Sequence, residues 1–289
     1  MKVLVTGARG LLGSELVRTL PAQHSVIPLT RAEADLTQEQ AGIAAIVRHQ
    51  PDYVIHAAAW TDVNACEERP VQAFAVNAEA TRHVACACQQ FGIPLLYVST
   101  DYVFDGRKGA PYTEQDAAHP VNVYGASKLA GENYVQELLP EYCIVRTAWL
   151  FGPARTNFVD RLLASDAGPL EVIADQVGSP TYTVDLAEKI AELVARRATG
   201  LFHVTNQGGC SRYQVAEWLA ERLGWRDRPL VAIAGTSLAG RARRPHYSAL
   251  ANEHLVAEGF APLRTWQEAL AAYLLKRAGT VQEGSTSPR

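Results

Sequence analysis

Tyr124 and Lys128 stand four positions apart around Gly125, Ala126 and Ser127, a spacing that puts phenol and ammonium on one face of a helix. A free phenol ionises near pH 10 and exchanges protons poorly at neutral pH; an adjacent ammonium favours the phenolate and brings that proton into working range. The pair is a candidate acid for carbonyl reduction. Thr100 is a third candidate. It ends an apolar run over residues 95–99, and its hydroxyl can either donate to a substrate carbonyl or cap its own loop. Each of the three is common by itself; the combination, in this order, is far more specific.

Gly7, Gly10 and Gly13 lie between the first apolar run and the first helical pattern. Glycines there let the chain turn tightly, bring N–H groups close to a phosphate and pack helix on strand, while the helix N-terminus favours a pyrophosphate. The spacing is GxxGxxG, one step away from the usual GxGxxG. The second apolar run passes through Pro28 and Leu29 into Thr30 and Arg31 with no carboxylate at that point. An acid there would hold a ribose 2′-hydroxyl, whereas an arginine accepts a 2′-phosphate. NADPH is therefore expected, with Arg31 on the phosphate; a solvated loop arginine, and use of NADH, stay open.

These residues need a scaffold. Residues 2–6, 25–29, 53–56, 93–99 and 142–147 read as strands, separated by helical patterns over 11–20, 38–49 and 71–90 and one from 124. Buried apolar strands alternating with helices make an α/β fold, a Rossmann-like doubly wound parallel sheet. Beyond Gly152 the pattern loosens: 157–165, 184–196, 211–223 and 265–276 read as helices, 201–205 and 230–233 as strands. The expected organisation is an NAD(P)-binding Rossmann domain over 1–150, a smaller C-terminal α/β substrate-binding lobe over 151–278 that returns some elements to the sheet, and a disordered tail over 279–289.

The whole chain of 289 residues carries 27 Lys+Arg against 30 Asp+Glu, a formal net charge of −3. That balance gives no electrostatic footprint for nucleic acid, so positive charge for an anionic ligand must be local. The densest cationic run is Arg241-Ala242-Arg243-Arg244. No apolar run approaches a membrane span, and the five scattered cysteines form no CxxC pair. A cytoplasmic protein with no membrane or nucleic-acid partner is expected.

The glycine turn, the strand-end threonine and the Tyr–Lys pair together resemble the extended short-chain dehydrogenase/reductase family. Ala57-Ala58-Ala59, Asn77, and the approach Pro120-Val121-Asn122-Val123 to the tyrosine strengthen the likeness. More narrowly, Val98-Ser99-Thr100-Asp101-Tyr102-Val103-Phe104-Asp105-Gly106, Arg146-Thr147-Ala148-Trp149-Leu150-Phe151-Gly152, Asp175-Gln176-Val177-Gly178-Ser179-Pro180-Thr181 and Arg243-Arg244-Pro245-His246 are similar to the dTDP-4-dehydrorhamnose reductases of that family, over about residues 1–275.

The resemblance implies reduction of the C4 ketone of dTDP-4-dehydro-β-L-rhamnose by NADPH or NADH. Thr100, Tyr124 and Lys128 would be catalytic, with Tyr124 and Lys128 also touching the cofactor. It places Gly7, Arg9, Gly10, Leu11 and Leu12 at the pyrophosphate, Asp35 and Leu36 near the adenine, and Ala57, Ala58 and Ala59 along the ribose and nicotinamide. Asn77 is either a cofactor ligand or a buried helix-to-backbone hydrogen bond. Thr61, Tyr102, Trp149, Gln176, Thr181 and Arg243 would meet the nucleotide sugar. Some members dimerise through Mg²⁺ held by glutamates; Glu15 stands at a matching place without evident partners, so no metal is assigned and a homodimer stays open. Two other classes carry related sequences: non-catalytic dinucleotide-binding regulatory subunits like the methionine adenosyltransferase β-subunit, and nucleotide-sugar epimerases or dehydratases. The intact Thr–Tyr–Lys set favours an enzyme, and Tyr102 stands where a dehydratase would carry Glu.

Overall fold

The computed structural model describes residues 1–165, 168–237, 240 and 242–284. Its centre is a sheet of six strands in the order β10-β5-β4-β3-β1-β2, every neighbouring pair parallel. These are β1 (Lys2–Thr6), β2 (Ser25–Leu29), β3 (Tyr53–His56), β4 (Leu95–Thr100), β5 (Tyr142–Thr147) and β10 (Gly200–His203). Val3, Val5, Val54, Ile55, Leu95, Leu96, Ile144 and Val145 are buried on both faces, which is why these strands read as continuous apolar runs.

Helices α1 (Leu11–Thr19), α2 (Glu39–His49), α3 (Val63–Glu68), α4 (Pro70–Phe74), α5 (Ala80–Phe91) and α6 (Val123–Leu138) belong to the first half. One face of the sheet packs with Leu12 and Leu16 of α1 and with Leu186, Ile190 and Leu193 of α8 (Thr183–Ala195). The other packs with Ile46, Val84, Ala85 and Val135 of α2, α5 and α6. The expected helix over 71–90 is found, continuous from Pro70 to Phe91 but irregular within. Pro70 starts a new helix after Arg69, and a π-helical turn over Ala75–Glu79 precedes α5. A π-turn inserts a residue into the ladder and re-aims its side chains, and here Asn77 is the one re-aimed.

The later elements are β6 (Leu150–Phe151), α7 (Phe158–Leu163), β7 (Leu170–Ile173), β8 (Val177–Gly178), β9 (Thr181–Tyr182), β11 (Cys210–Ser211), α9 (Arg212–Leu223), β12 (Leu230–Ile233), α10 (Glu253–Ala257) and α11 (Trp266–Gly284). They form three two-stranded ladders, β11-β8, β12-β7 and β6-β9, around a separate core that includes Phe151, Tyr182, Leu219, Leu270 and Tyr273. Of this half, β10 joins the main sheet and α8 covers its face. Helix α11 runs on to Gly284, into the tail expected to be disordered: once a helix is nucleated each further residue is cheap to add. Residues 285–289 lie outside the described residues, and so does Arg241 of the cationic run. Among the described residues, no helix is long and apolar enough to cross a membrane.

Candidate active site

The strand order reverses between β1 and β3, and the crevice at such a switch point, beyond the carboxyl ends of the strands, is where open α/β sheets take ligands. The glycine turn stands there. Gly7 has φ +67°, and a Cβ on it would come within 2.8 Å of the Ala58 backbone. A Cβ on Gly13 would come within 2.1 Å of the Gly7 carbonyl oxygen, so β1, the turn and α1 approach at distances only glycine allows. No acid stands in the first turn of α1 and no side chain caps it, which leaves its N-terminal N–H groups to a ligand. This cradle fits a dinucleotide pyrophosphate.

A cavity of about 840 Å³ begins at Gly10, Leu11 and Leu12, passes Ala57, Ala59 and Thr61, and reaches Thr100, Tyr124 and Lys128. Helix α6 carries the last two. Its N-cap is Asn122, whose side chain accepts from Gly125 N–H at 2.8 Å and whose amide donates to the Arg243 carbonyl at 2.8 Å. Gly125 lets the helix come in close, since a Cβ there would lie 2.0 Å from the Tyr102 carbonyl oxygen.

Tyr124 is buried, and burial pushes its phenol well up, against a hydrogen bond with Thr100. It is therefore a protonated phenol through the neutral range, the form a proton donor needs. Lys128, 2% exposed, donates from Nζ to the Val98 carbonyl at 2.8 Å and lies 4.1 Å from the Tyr97 ring centroid. Burial brings its ammonium down to about 7, against the charge of Glu132. Burial outweighs every favourable contact of the Tyr124 phenol, so the expected net lowering is not found in the protein alone.

Asn77 turns out to be a brace. It is fully buried, its side-chain oxygen accepts from Trp60 N–H at 2.7 Å, and its amide donates to the Trp60 carbonyl and to Ser127 Oγ. Both ends of the amide are engaged inside the fold, and it ties the loop after β3 to α6. Arg9 is exposed beside the turn. Arg31, Asp35 and Leu36 lie past the end of β2 and do not line the cavity. Arg31 is 3.5 Å from Asp35 with both side chains well exposed, while Leu36 packs on the core beneath. The absent carboxylate is supplied from three residues on: Glu33 accepts from Thr30 N–H and Thr30 Oγ1, both at 2.8 Å, so the end of β2 offers an acid as well as an arginine.

On the other side, Tyr102 and Trp149 line the same cavity. Trp149 has φ +44°, a conformation that costs a bulky residue about 1–3 kcal/mol and marks a functional position more often than a core one. Its indole presses on Gly178, where a Cβ would come within 2.4 Å of the ring. Gln176 and Arg243 line a second cavity of about 700 Å³, which meets the first across Phe158, Arg161, Arg212 and Arg244. Thr181 is placed elsewhere: it is fully buried in β9 and spends its hydroxyl on the Ser179 carbonyl. Glu15 is bound to Arg18, and no group of acids, histidines or cysteines that could hold a metal occurs among the described residues.

Arg212 is the residue that reading the sequence missed. Its guanidinium lies 4.1 Å from the Trp149 ring centroid and 4.6 Å from that of Phe158, and among the described residues it pairs with no carboxylate. One signal was available: it occupies the first position of α9, inside the capping box of Ser211 and Gln214, where the helix dipole disfavours a cation. An arginine kept there has another task. Arg155, Arg161 and Arg243 are likewise without a carboxylate partner among the described residues. Aromatic stacking holds Arg212 flat and leaves its N–H edge to a planar or tetrahedral oxyanion.

The chain matches the family described as "RmlD substrate binding domain" over residues 1–278. It is 41% identical to a dTDP-4-dehydrorhamnose reductase of Streptomyces griseus over 99% of this chain and 97% of that one. It is 38% identical to a dTDP-4-keto-6-deoxy-D-glucose reductase of Streptomyces niveus, over 92% and 94%. A solved dTDP-4-dehydrorhamnose reductase of Bacillus anthracis in complex with NADP superposes with a TM-score of 0.91 at 35% identity, covering 95% of this chain and 99% of that one. A glycine cradle at one end of the cleft, unpaired arginines at the other and the Thr–Tyr–Lys set between them fit that company, and the chain belongs to the RmlD substrate-binding-domain family.

Proposed function

We propose that the protein reduces the C4 ketone of dTDP-4-dehydro-β-L-rhamnose to dTDP-β-L-rhamnose with NADPH. One observation carries the reading: the Tyr124 phenol, protonated by burial, stands with Thr100 and Lys128 in the one cavity whose wall also includes the glycine turn and Arg161, Arg212 and Arg244. Residues 1–150 would bind the cofactor and 151–278 mainly the nucleotide sugar. Gly7, Gly10 and the α1 N-terminus would hold the pyrophosphate and Lys128 the nicotinamide ribose; bound there, the cofactor supplies hydride to C4. Tyr124 gives its proton to the C4 oxygen and Thr100 donates a second hydrogen bond to it, so the negative charge that develops on one oxygen meets two aimed donors. Arg212 and Arg243 are suited to the diphosphate and Trp149 to the deoxyhexose.

The test is NADPH consumption with enzymatically prepared dTDP-4-dehydro-L-rhamnose, with the C4 configuration of the product read by NMR. One NADPH per ketone supports the assignment. Binding of NADPH without consumption would make the protein a dinucleotide-binding subunit. The Streptomyces niveus relative's name points to a second substrate with the same reacting carbon, dTDP-4-keto-6-deoxy-D-glucose. The ratio of kcat/KM for the two ketosugars decides between them.

A further inference from the structure

A single hydroxyl hydrogen at the site has two claimants. Thr100 Oγ1 donates it to Asp101 Oδ1 at 3.1 Å, and the same oxygen accepts from Tyr102 N–H at 3.2 Å. A hydroxyl has one hydrogen and two lone pairs. While the Asp101 carboxylate takes that hydrogen, a ketone cannot receive it. Tyr124 stands beside the same hydroxyl, and a hydrogen spent on Asp101 cannot reach the phenol oxygen either.

Asp101 is itself held from the far side. It is 2% exposed, and its Oδ2 accepts from Ser248 Oγ at 2.5 Å. Ser248 is 1% exposed and belongs to the segment that follows the arginine run; its N–H donates to the Val177 carbonyl at the edge of β8. Through this one hydroxyl, chain from the second half of the protein reaches the end of β4. Reading the sequence picked out neither residue for a role in the site.

Resting on the reductase reading, we infer that Ser248 and Asp101 are positioning residues for Thr100. With its carboxyl protonated, Asp101 donates to Thr100 Oγ1 and turns the threonine's hydrogen toward the ketone. Once ionised, it takes that hydrogen back. The one hydrogen of Thr100 is accounted for in both arrangements. In the first, Thr100 accepts from Asp101 and Tyr102 N–H and donates to substrate, leaving the Tyr124 proton for the same oxygen. In the second, Thr100 accepts from Tyr102 N–H and donates to Asp101.

The groups facing Asp101 are Ser248, Thr100, the phenols of Tyr102 and Tyr124, and the guanidinium of Arg212 on α9, with Arg244 beyond it. Burial raises its carboxyl to about 6, against the hydrogen bonds of Ser248 and Thr100 and the charge of Arg212. A diphosphate on Arg212 cancels a cation that favours the ionised form. Substrate binding thereby favours protonation of Asp101 and frees the Thr100 donor, so the break in kcat lies at higher pH than the break in kcat/KM.

The experiment has two readouts on the full chain: single-turnover hydride transfer between about pH 5 and 9, and infrared detection of the Asp101 carboxyl band, which needs no turnover. Wild type is expected to lose about tenfold in rate per pH unit above its break, in step with loss of the band. Asp101→Asn, whose amide donates permanently to Thr100 and whose oxygen accepts from Ser248, lacks the band and removes that limb. Ser248→Ala withdraws a donor from the carboxylate and moves both band and limb to higher pH. A limb unmoved in Ser248→Ala and retained in Asp101→Asn overturns the inference, as does a band absent at every pH. A titrating band that Ser248→Ala shifts, in a protein that consumes no NADPH, would instead overturn the reductase reading and leave the Ser248–Asp101 link standing.

Discussion

At the glycine-turn end the cleft is walled by backbone: Gly7, Gly10 and Gly13 bring N–H groups and a helix N-terminus to the surface with no acid or cap in the way. The Arg212 end is built from side-chain cations gathered from separate elements, with Arg212 itself held by aromatic rings. Both suit diphosphates, but they fail differently. A backbone cradle has no charge to remove and is broken by volume. A set of arginines tolerates volume and is broken by loss of charge.

The substitutions that test this contrast differ widely in expected size. Tyr124→Phe, between the two ends, should lower kcat by about 10²–10⁴ while NADPH affinity, read by fluorescence titration, stays near wild type. Gly13→Ala forces a methyl against the Gly7 carbonyl, an overpacking of about 1–3 kcal/mol; it should weaken NADPH binding and lower Tm together. Arg212→Ala removes charge-assisted hydrogen bonds worth about 1.5–3 kcal/mol, so KM for the nucleotide sugar should rise by about 10–100-fold with NADPH affinity unchanged. Its Tm should hold or rise, because the variant takes a cation away from a helix N-terminus. A rise in NADPH Kd matching that in KM would erase the distinction between the ends. Arg31→Ala should have the smallest effect: its side chain is 76% exposed and shared with Asp35, so the NADPH-to-NADH preference should fall by less than about tenfold.

What could be read in the sequence divides along the same line. The turn at Gly7, the first five strands and the Tyr124–Lys128 spacing are local patterns, and each is found where the residues placed it. The π-turn inside the helix over 71–90 was hidden because the partners of Asn77, Trp60 and Ser127, lie far from it along the chain. Strands of two residues, such as β6 and β9, are too short to show a period. Glu33 folds back on Thr30 from a turn, so the acid at the end of β2 was not in the expected position. Arg212 stacks on Trp149 from 63 residues away, and Ser248 bonds Asp101 across 147. No periodicity records such pairs; only the misplaced cation at a helix start hinted at the first.

The central claim is that one cleft passes hydride from the glycine-turn end to a ketone held by the arginine end. Transfer of label from NADPH deuterated at the nicotinamide C4, on the transferred face, tests it most directly. Incubated with dTDP-4-dehydro-L-rhamnose, the wild-type protein should place one deuteron at C4 of the product hexose, and Tyr124→Phe should place it there at least about 10²-fold more slowly. Product without deuterium at C4, or unchanged NADPH in the presence of bound ketosugar, would contradict the account.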